Sequence, residues 1–138
     1  MTKKSVGFIS SFAFLFLVFL DQVTKIFFPT TYLNTGISFG LQPELSIWFF
    51  IVLLAIIIFS FQTFFKTKTL LFELSKTLFF AGAIGNLIDR VFLGGVRDWL
   101  SLPLLGFSNN LADVWITIGI LGIIWVEILE FKKKKINE

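Results

Sequence analysis

Apolar residues fill four long blocks of this 138-residue chain, and the polar residues that interrupt them are bunched at the block ends. The first block runs from Val6 to Leu20 and continues through Asp21 and Lys25 to Phe28, where Pro29 stops helix growth. The others run from about Leu45 to Phe65, Leu70 to Phe92 and Leu111 to Phe131. Each is close to the roughly 20 residues a helix needs to cross a bilayer. The pattern predicts a mainly α, polytopic membrane protein with four transmembrane helices over about 6–28, 45–65, 70–92 and 111–131. A single membrane-embedded domain over residues 1–138 is expected. Lys3 and Lys4 ahead of an apolar run resemble the start of a signal peptide, but no small-x-small cleavage site follows Leu20, so an uncleaved first span is expected.

The interruptions are short and dense: DQVTK, NTGISFG, GNLIDR, GGVRDW and NNLAD. Asp21, Glu44, Asp89, Asp98 and Asp113 lie within or beside apolar runs, alongside Asn34, Asn86, Asn110 and Arg90. An ionisable group at membrane depth costs several kcal/mol, so such residues face a bundle interior and mark a working site. Orientation follows from the basic residues. Lys3, Lys4, Lys66, Lys68, Lys76 and Lys132 to Lys135 share one side, nine of the twelve, leaving Lys25, Arg90 and Arg97 on the other. Both termini are therefore expected in the cytoplasm, with every polar cluster near the extracytoplasmic face.

Composition narrows the chemistry. The chain is 56% hydrophobic and only 15% charged, against about 25% charged in a soluble domain. It has no Cys and no His, which removes disulfides, thiol nucleophiles, imidazole bases and the usual zinc ligands. No cofactor and no metal are expected. The net charge of +3 does not point to nucleic acid, because the lysines flank spans and are not interleaved with aromatic residues as in a strand-binding groove.

The clusters read as follows. Asp21 and Lys25 stand four residues apart on one helix face and can pair, either as an anchor for the helix end or as part of a site. Gly36 and Gly40 flank an apolar pair after Asn34 and suggest a turn into a short extended element outside the first span. Asn86, Asp89 and Arg90 fall at i, i+3 and i+4, and Arg90 is expected to clamp Asp89 through a bidentate contact. Gly94–Gly95 breaks the third helix before Asp98. Asn110 is a good N-cap for the fourth helix and puts Asp113 at its third position, where a carboxylate commonly serves only the cap. A sharper reading brings Asp98 and Asp113 together if the third and fourth helices are neighbours. Two close carboxylates share a proton, one acting as base towards water and the other as acid towards a carbonyl.

In order and spacing these motifs resemble lipoprotein signal peptidase, also called signal peptidase II, a family of membrane aspartyl proteases. The family pattern D-Q-x-x-K, N-x-G-x-[AS]-[FW]-G, G-N-x-x-D-R, G-x-V-x-D-[FW], N-x-A-D is matched by Asp21, Gln22 and Lys25; by Asn34, Gly36, Ser38, Phe39 and Gly40; by Gly85, Asn86, Asp89 and Arg90; by Gly94, Val96, Asp98 and Trp99; and by Asn110, Ala112 and Asp113. The resemblance implies that Asp98 and Asp113 are the catalytic pair. Asn34, Gly36, Asn86, Asp89, Arg90, Asn110, Asp21 and Lys25 would be supporting or substrate-binding residues. It implies cleavage of prolipoprotein signal peptides just before a diacylglyceryl-modified cysteine in the bacterial cell membrane, and inhibition by globomycin-type compounds. The partners implied are diacylglyceryl-modified prolipoproteins and membrane lipid, with no nucleic acid, and the chain is expected to act as a monomer. The stretch from Asp98 to Asp113 is short for the family, and Asn109 competes with Asn110 for the supporting position, though the spacing to Ala112–Asp113 favours Asn110. Rival readings are a small transporter, which would place polar groups at the midplane or on both sides, and an inactive homologue or scaffold in which the acids only cap and clamp.

Overall fold

A computed structural model describes residues 3–30, 32–36, 47–65, 69–102 and 107–137. The expected start of the second span at Leu45, the Ser38–Phe39–Gly40 part of the second motif, Glu44, and Lys66 and Lys68 lie outside the described residues. Among the described residues, four helices carry the fold: α1 (Lys3–Phe27), α2 (Ile47–Phe64), α3 (Leu70–Leu93) and α4 (Leu111–Asn137). All four are long and apolar enough to cross a membrane. Thr69 caps α3 by accepting the N–H of Phe72, and Gly94 closes it in the left-handed region at φ 74°, its N–H returning to the Arg90 carbonyl.

Short strands complete the polar end. β1 (Tyr32–Asn34) pairs antiparallel with β2 (Val96–Asp98), matching Tyr32 to Asp98 and Asn34 to Val96. β3 (Leu100–Leu102) pairs with β4 (Phe107–Asn109), matching Leu100 to Asn109. The extended element after α1 is thus present in part. The strands between α3 and α4 were not expected, because three-residue runs such as VRD and FSN carry no readable alternation.

The helices meet through small residues. A side chain at Gly82 would strike the Ala112 carbonyl and Ile116 of α4, and one at Gly119 would strike the backbone of Ser75 and Phe79 on α3. Within lipid, where no hydrophobic force joins helices, such close backbone approach is the main source of packing energy. A second, aromatic contact lies towards the other end, where Phe72, Ile123 and Val126 are buried and Phe61, Phe65 and Phe79 pack on them. α2 leans on α3 but buries none of its described residues. Burial is inverted relative to a soluble protein. The largest fully buried side chains are Lys25, Asn110, Asp21, Asp89 and Asp98, while phenylalanines such as Phe8, Phe12 and Phe59 lie exposed on the helix faces.

Candidate active site

Three helix ends and two strands bring the polar clusters together. α1 contributes Asp21, Gln22 and Lys25 from its last two turns, and α3 contributes Asn86, Asp89 and Arg90 from the two turns before its Gly94 stop. α4 opens with Asn110 as cap and Asp113 in its first turn. β2 carries Asp98, held against Asn34 of β1.

Asp98 and Asp113 are tied to one another through Asn110. The Asn110 amide donates to Asp98 Oδ1 at 2.7 Å, and its carbonyl oxygen accepts the Asp113 backbone N–H at 3.1 Å. A single buried amide therefore serves as helix cap and as donor to the neighbouring carboxylate. Asn34 donates to the other Asp98 oxygen at 3.3 Å, and Asn86 donates to Asp113 Oδ1 at 2.8 Å. Asn109 instead sits in β4 opposite Leu100, so Asn110 takes the supporting position. Asp98 is 1% exposed. Burial pushes its carboxyl up to about 6, opposed by the Asn110 hydrogen bond, helped by the charge of Asp113, and opposed again by Asn34 and Lys25.

Behind the two acids lies a buried network. Lys25 Nζ contacts Asp21 Oδ2 at 2.8 Å and Asp89 Oδ2 at 3.6 Å, and donates to Asn86 Oδ1 at 3.0 Å. The Asp21–Lys25 pair is fully buried, so it is no surface anchor. Asp21 Oδ1 also accepts the Ala112 N–H at 2.9 Å, so a carboxylate from α1 caps α4 alongside Asn110. Gly85 lets this happen, because a Cβ there would press on the Asp21 carboxylate. Gly36 is buried; its N–H donates to Asn34 Oδ1 at 3.1 Å, and its carbonyl accepts from Arg90 at 3.1 Å.

One expectation is corrected. Arg90 does not clamp Asp89. Adjacent residues on a helix point about 100° apart and do not face each other, so Asp89 turns towards α1 and β2 while Arg90 turns towards α2. Asp89 is gripped by Arg97, through Nη2 at 2.7 Å, Nε at 3.2 Å and the backbone N–H at 2.9 Å. Arg90 stacks over the Phe50 ring at 4.1 Å and donates to the Asn86 carbonyl at 3.5 Å. Asp89 raises the basicity of Arg97 above its ordinary value through these bonds. Sequence reasoning passed over Arg97 and Gln22 as site residues. The basic-residue bias held the signal for Arg97, since it is one of three cations at the polar end and the other two were assigned.

Asn86, Arg90 and Asp113 line one end of a cleft of about 230 Å³ whose other walls are Phe50, Leu53, Leu54 and Ile57 of α2, with Phe79, Ala83 and Ile116. Among the described residues, no group of three acidic, His or Cys side chains is placed to hold a metal ion. The arrangement offers two carboxylates in unlike settings, one at a helix N-terminus and one on a strand, next to an apolar cleft.

The chain is similar to known proteins along most of its length. A family model described as signal peptidase (SPase) II matches residues 13–129. A lipoprotein signal peptidase of Fusobacterium nucleatum is 38% identical, covering 90% of this chain and 88% of that protein. One from Staphylococcus aureus is 32% identical, covering 89% and 90%. Two solved structures, each titled a bacterial membrane enzyme, superpose with TM-scores of 0.76 and 0.70 at 29% and 30% identity. They cover 91% and 86% of this chain and 91% of each of those chains.

Proposed function

The chain belongs to the signal peptidase II family, the lipoprotein signal peptidases, and on that premise we propose that it is an aspartic endopeptidase cutting prolipoproteins before a diacylglyceryl-modified cysteine, with Asp98 and Asp113 as its catalytic residues. It is a multi-pass bacterial membrane protease acting in lipoprotein signal-peptide processing. The observation that carries the mechanism is the shared Asn110, which couples the two carboxylates while leaving them in different surroundings.

Asp113 sits where the N-terminal N–H groups and dipole of α4 favour the anion. Asp98, buried and pushed up to about 6, is the member of the pair that takes up a proton more readily. Such coupled groups titrate together, so the assignment describes the dominant proton position of the pair. Asp113 takes a proton from water as the oxygen attacks the scissile carbonyl, and Asp98 gives its proton to the carbonyl oxygen. Asn34, Asn86 and Asn110 fix the carboxylates; Arg90, over Phe50 and bonded to Gly36, forms the rim where substrate backbone would enter. The apolar α2 wall of the cleft suits a lipidated, membrane-embedded segment, and α2 buries nothing that would close that side to lipid. The site belongs at the extracytoplasmic face with both termini cytoplasmic, by the lysine bias. A cysteine at exposed Ser101 should be labelled by impermeant reagent only from outside; labelling only from the cytoplasm overturns this topology.

The test of mechanism is cleavage of a diacylglyceryl-modified precursor by purified enzyme, blocked by a globomycin-type inhibitor. Asp98→Asn and Asp113→Asn should each lose about 10³-fold or more in turnover with helical content kept, since an amide can neither accept water's proton nor protonate the carbonyl. Either variant cutting within tenfold of wild type overturns the two-aspartate mechanism and favours a chain whose acids only cap and clamp.

A further inference from the structure

Resting on the reading of Asp98 and Asp113 as the reacting pair, we propose that Arg97 is a positioning residue that sets both carboxylates at once. Neither its own side chain nor any of its partners needs to touch substrate for this.

The first route runs through the backbone. In β2 the side chains alternate, so Val96 and Asp98 are buried on one face and Arg97 lies on the other. Among the described residues this three-residue strand pairs with the equally short β1, which does little to hold its position. Arg97 supplies the missing restraint from behind. Its backbone N–H is bonded to Asp89 of α3, and its guanidinium reaches Asp89 through Nε and Nη2. The same guanidinium donates to Gln22 Oε1 at 2.9 Å and to the Lys25 carbonyl at 3.4 Å, both on α1. One residue before Asp98, the strand is thereby fixed to two helices. The planar fork can make these contacts together; an ammonium group cannot.

The second route runs through charge. Asp89 is fully buried, and Arg97 is its bidentate partner while Lys25 stands 3.6 Å away. Lys25 is engaged by Asp21 and donates to Asn86, which in turn donates to Asp113. Without Arg97, the buried Asp89 charge would draw Lys25 to itself, loosening the Asn86 amide that orients Asp113. Arg97 keeps Lys25 available for that task.

The experiment compares Arg97→Lys, Arg97→Ala and the double variant Asp89→Asn/Arg97→Ala, measuring kcat, KM and thermal stability on folded, monodisperse enzyme with a diacylglyceryl-modified precursor. Arg97→Lys keeps a cation beside Asp89 and should stay close to wild type in melting temperature, with kcat down about tenfold and KM within about threefold. Arg97→Ala should lose about 10²-fold in kcat, the scale of an ångström-level misplacement of reacting groups. The double variant removes the unpaired charge and frees Lys25 but leaves β2 unanchored, so its stability should recover while kcat recovers only in part. Wild-type kcat in Arg97→Lys, or full recovery of kcat together with stability in the double variant, overturns the proposal and leaves Arg97 a purely structural residue. Asp98→Asn runs beside them. If it is inactive while the Arg97 variants turn over normally, only this inference falls; if it cleaves, the two-aspartate reading falls and this one with it.

Discussion

The two ends of the helix bundle are built from opposite materials. At one end, α1, α3, α4 and β2 bury Asp21, Lys25, Asp89, Asp98 and Asn110, each holding its partners through directed hydrogen bonds. Towards the other, α2, α3 and α4 meet through Phe61, Phe65, Phe72, Phe79, Ile123 and Val126, with rings 4.8–6.3 Å apart and no polar group required. Aromatic packing tolerates small shifts because its energy is spread over many weak contacts. A buried charge network tolerates almost none, since losing one partner leaves another charge uncompensated at a cost of about 3–5 kcal/mol. A membrane protein retains such a network where geometry matters more than stability. The contrast predicts that damage to the aromatic end reads out as lost stability alone, and damage to the polar end as lost turnover, with stability falling too where a charge is left unpaired.

Of the variants that test this contrast, the largest expected effect belongs to the aromatic end. Phe72 is 2% exposed and lies against Phe61 and Phe65, so Phe72→Ala opens a cavity costing about 3 kcal/mol. Thermal unfolding in detergent should show that loss, while kcat per folded molecule stays within about twofold. Phe72→Leu should give the same separation at smaller amplitude. A large fall in kcat at unchanged stability would erase the division between the ends.

Asn110→Ala should give the reverse. It removes a donor from Asp98 and the cap from the Asp113 N–H in one step. Turnover should fall about 10²-fold, equivalent to about 2.7 kcal/mol of barrier. The cap itself accounts for about 1 kcal/mol of stability, and Asp21 still accepts the neighbouring Ala112 N–H, which limits that loss. Steady-state cleavage beside unfolding curves decides it; equal losses in both would mean Asn110 serves the fold alone.

The sequence made the membrane architecture readable because lipid forces long apolar runs. Helix stops were legible where Pro29 and Gly94 sit, and the cap at Asn110 followed from its chemistry. The meeting of Asn34, Asn86, Asn110 and the two aspartates was anticipated, since every cluster fell at one end of the bundle. What the sequence hid was direction. Asp89 and Arg90 are adjacent in the chain, yet they diverge around the helix, and Asp89 finds Arg97 across a turn. The β1–β2 pairing joins residues more than sixty positions apart, which no local pattern reports. The role of Asp21 as a second cap on α4 was equally invisible, because it depends on how closely α1 and α4 approach at Gly85.

The smallest expected effect is also the most direct probe of strain at the polar end. Asp98 has its carboxyl raised from 3.8 to about 6 in the folded protein. Well below pH 4 it is protonated in folded and unfolded states alike and contributes no difference. As pH rises through the window from about 4 to about 6, the unfolded chain releases this proton while the folded chain still holds it, so ionisation progressively destabilises the fold. A carboxyl raised this far corresponds to about 3 kcal/mol lost by neutral pH. Asp98→Asn, which cannot ionise, escapes that loss but gives up one acceptor, turning an amide donor towards Asn34 or Asn110 at a cost of about 1 kcal/mol. The variant should therefore be about 2 kcal/mol more stable than wild type at pH 7.5 and slightly less stable at pH 4, its melting temperatures crossing between. An inactive variant that is the more stable protein at neutral pH would show a carboxylate kept for chemistry at the expense of the fold. If the two unfolding profiles run parallel from pH 4 to pH 7.5, Asp98 is an ordinary ionised acid, and the polar end is no more strained than the aromatic one.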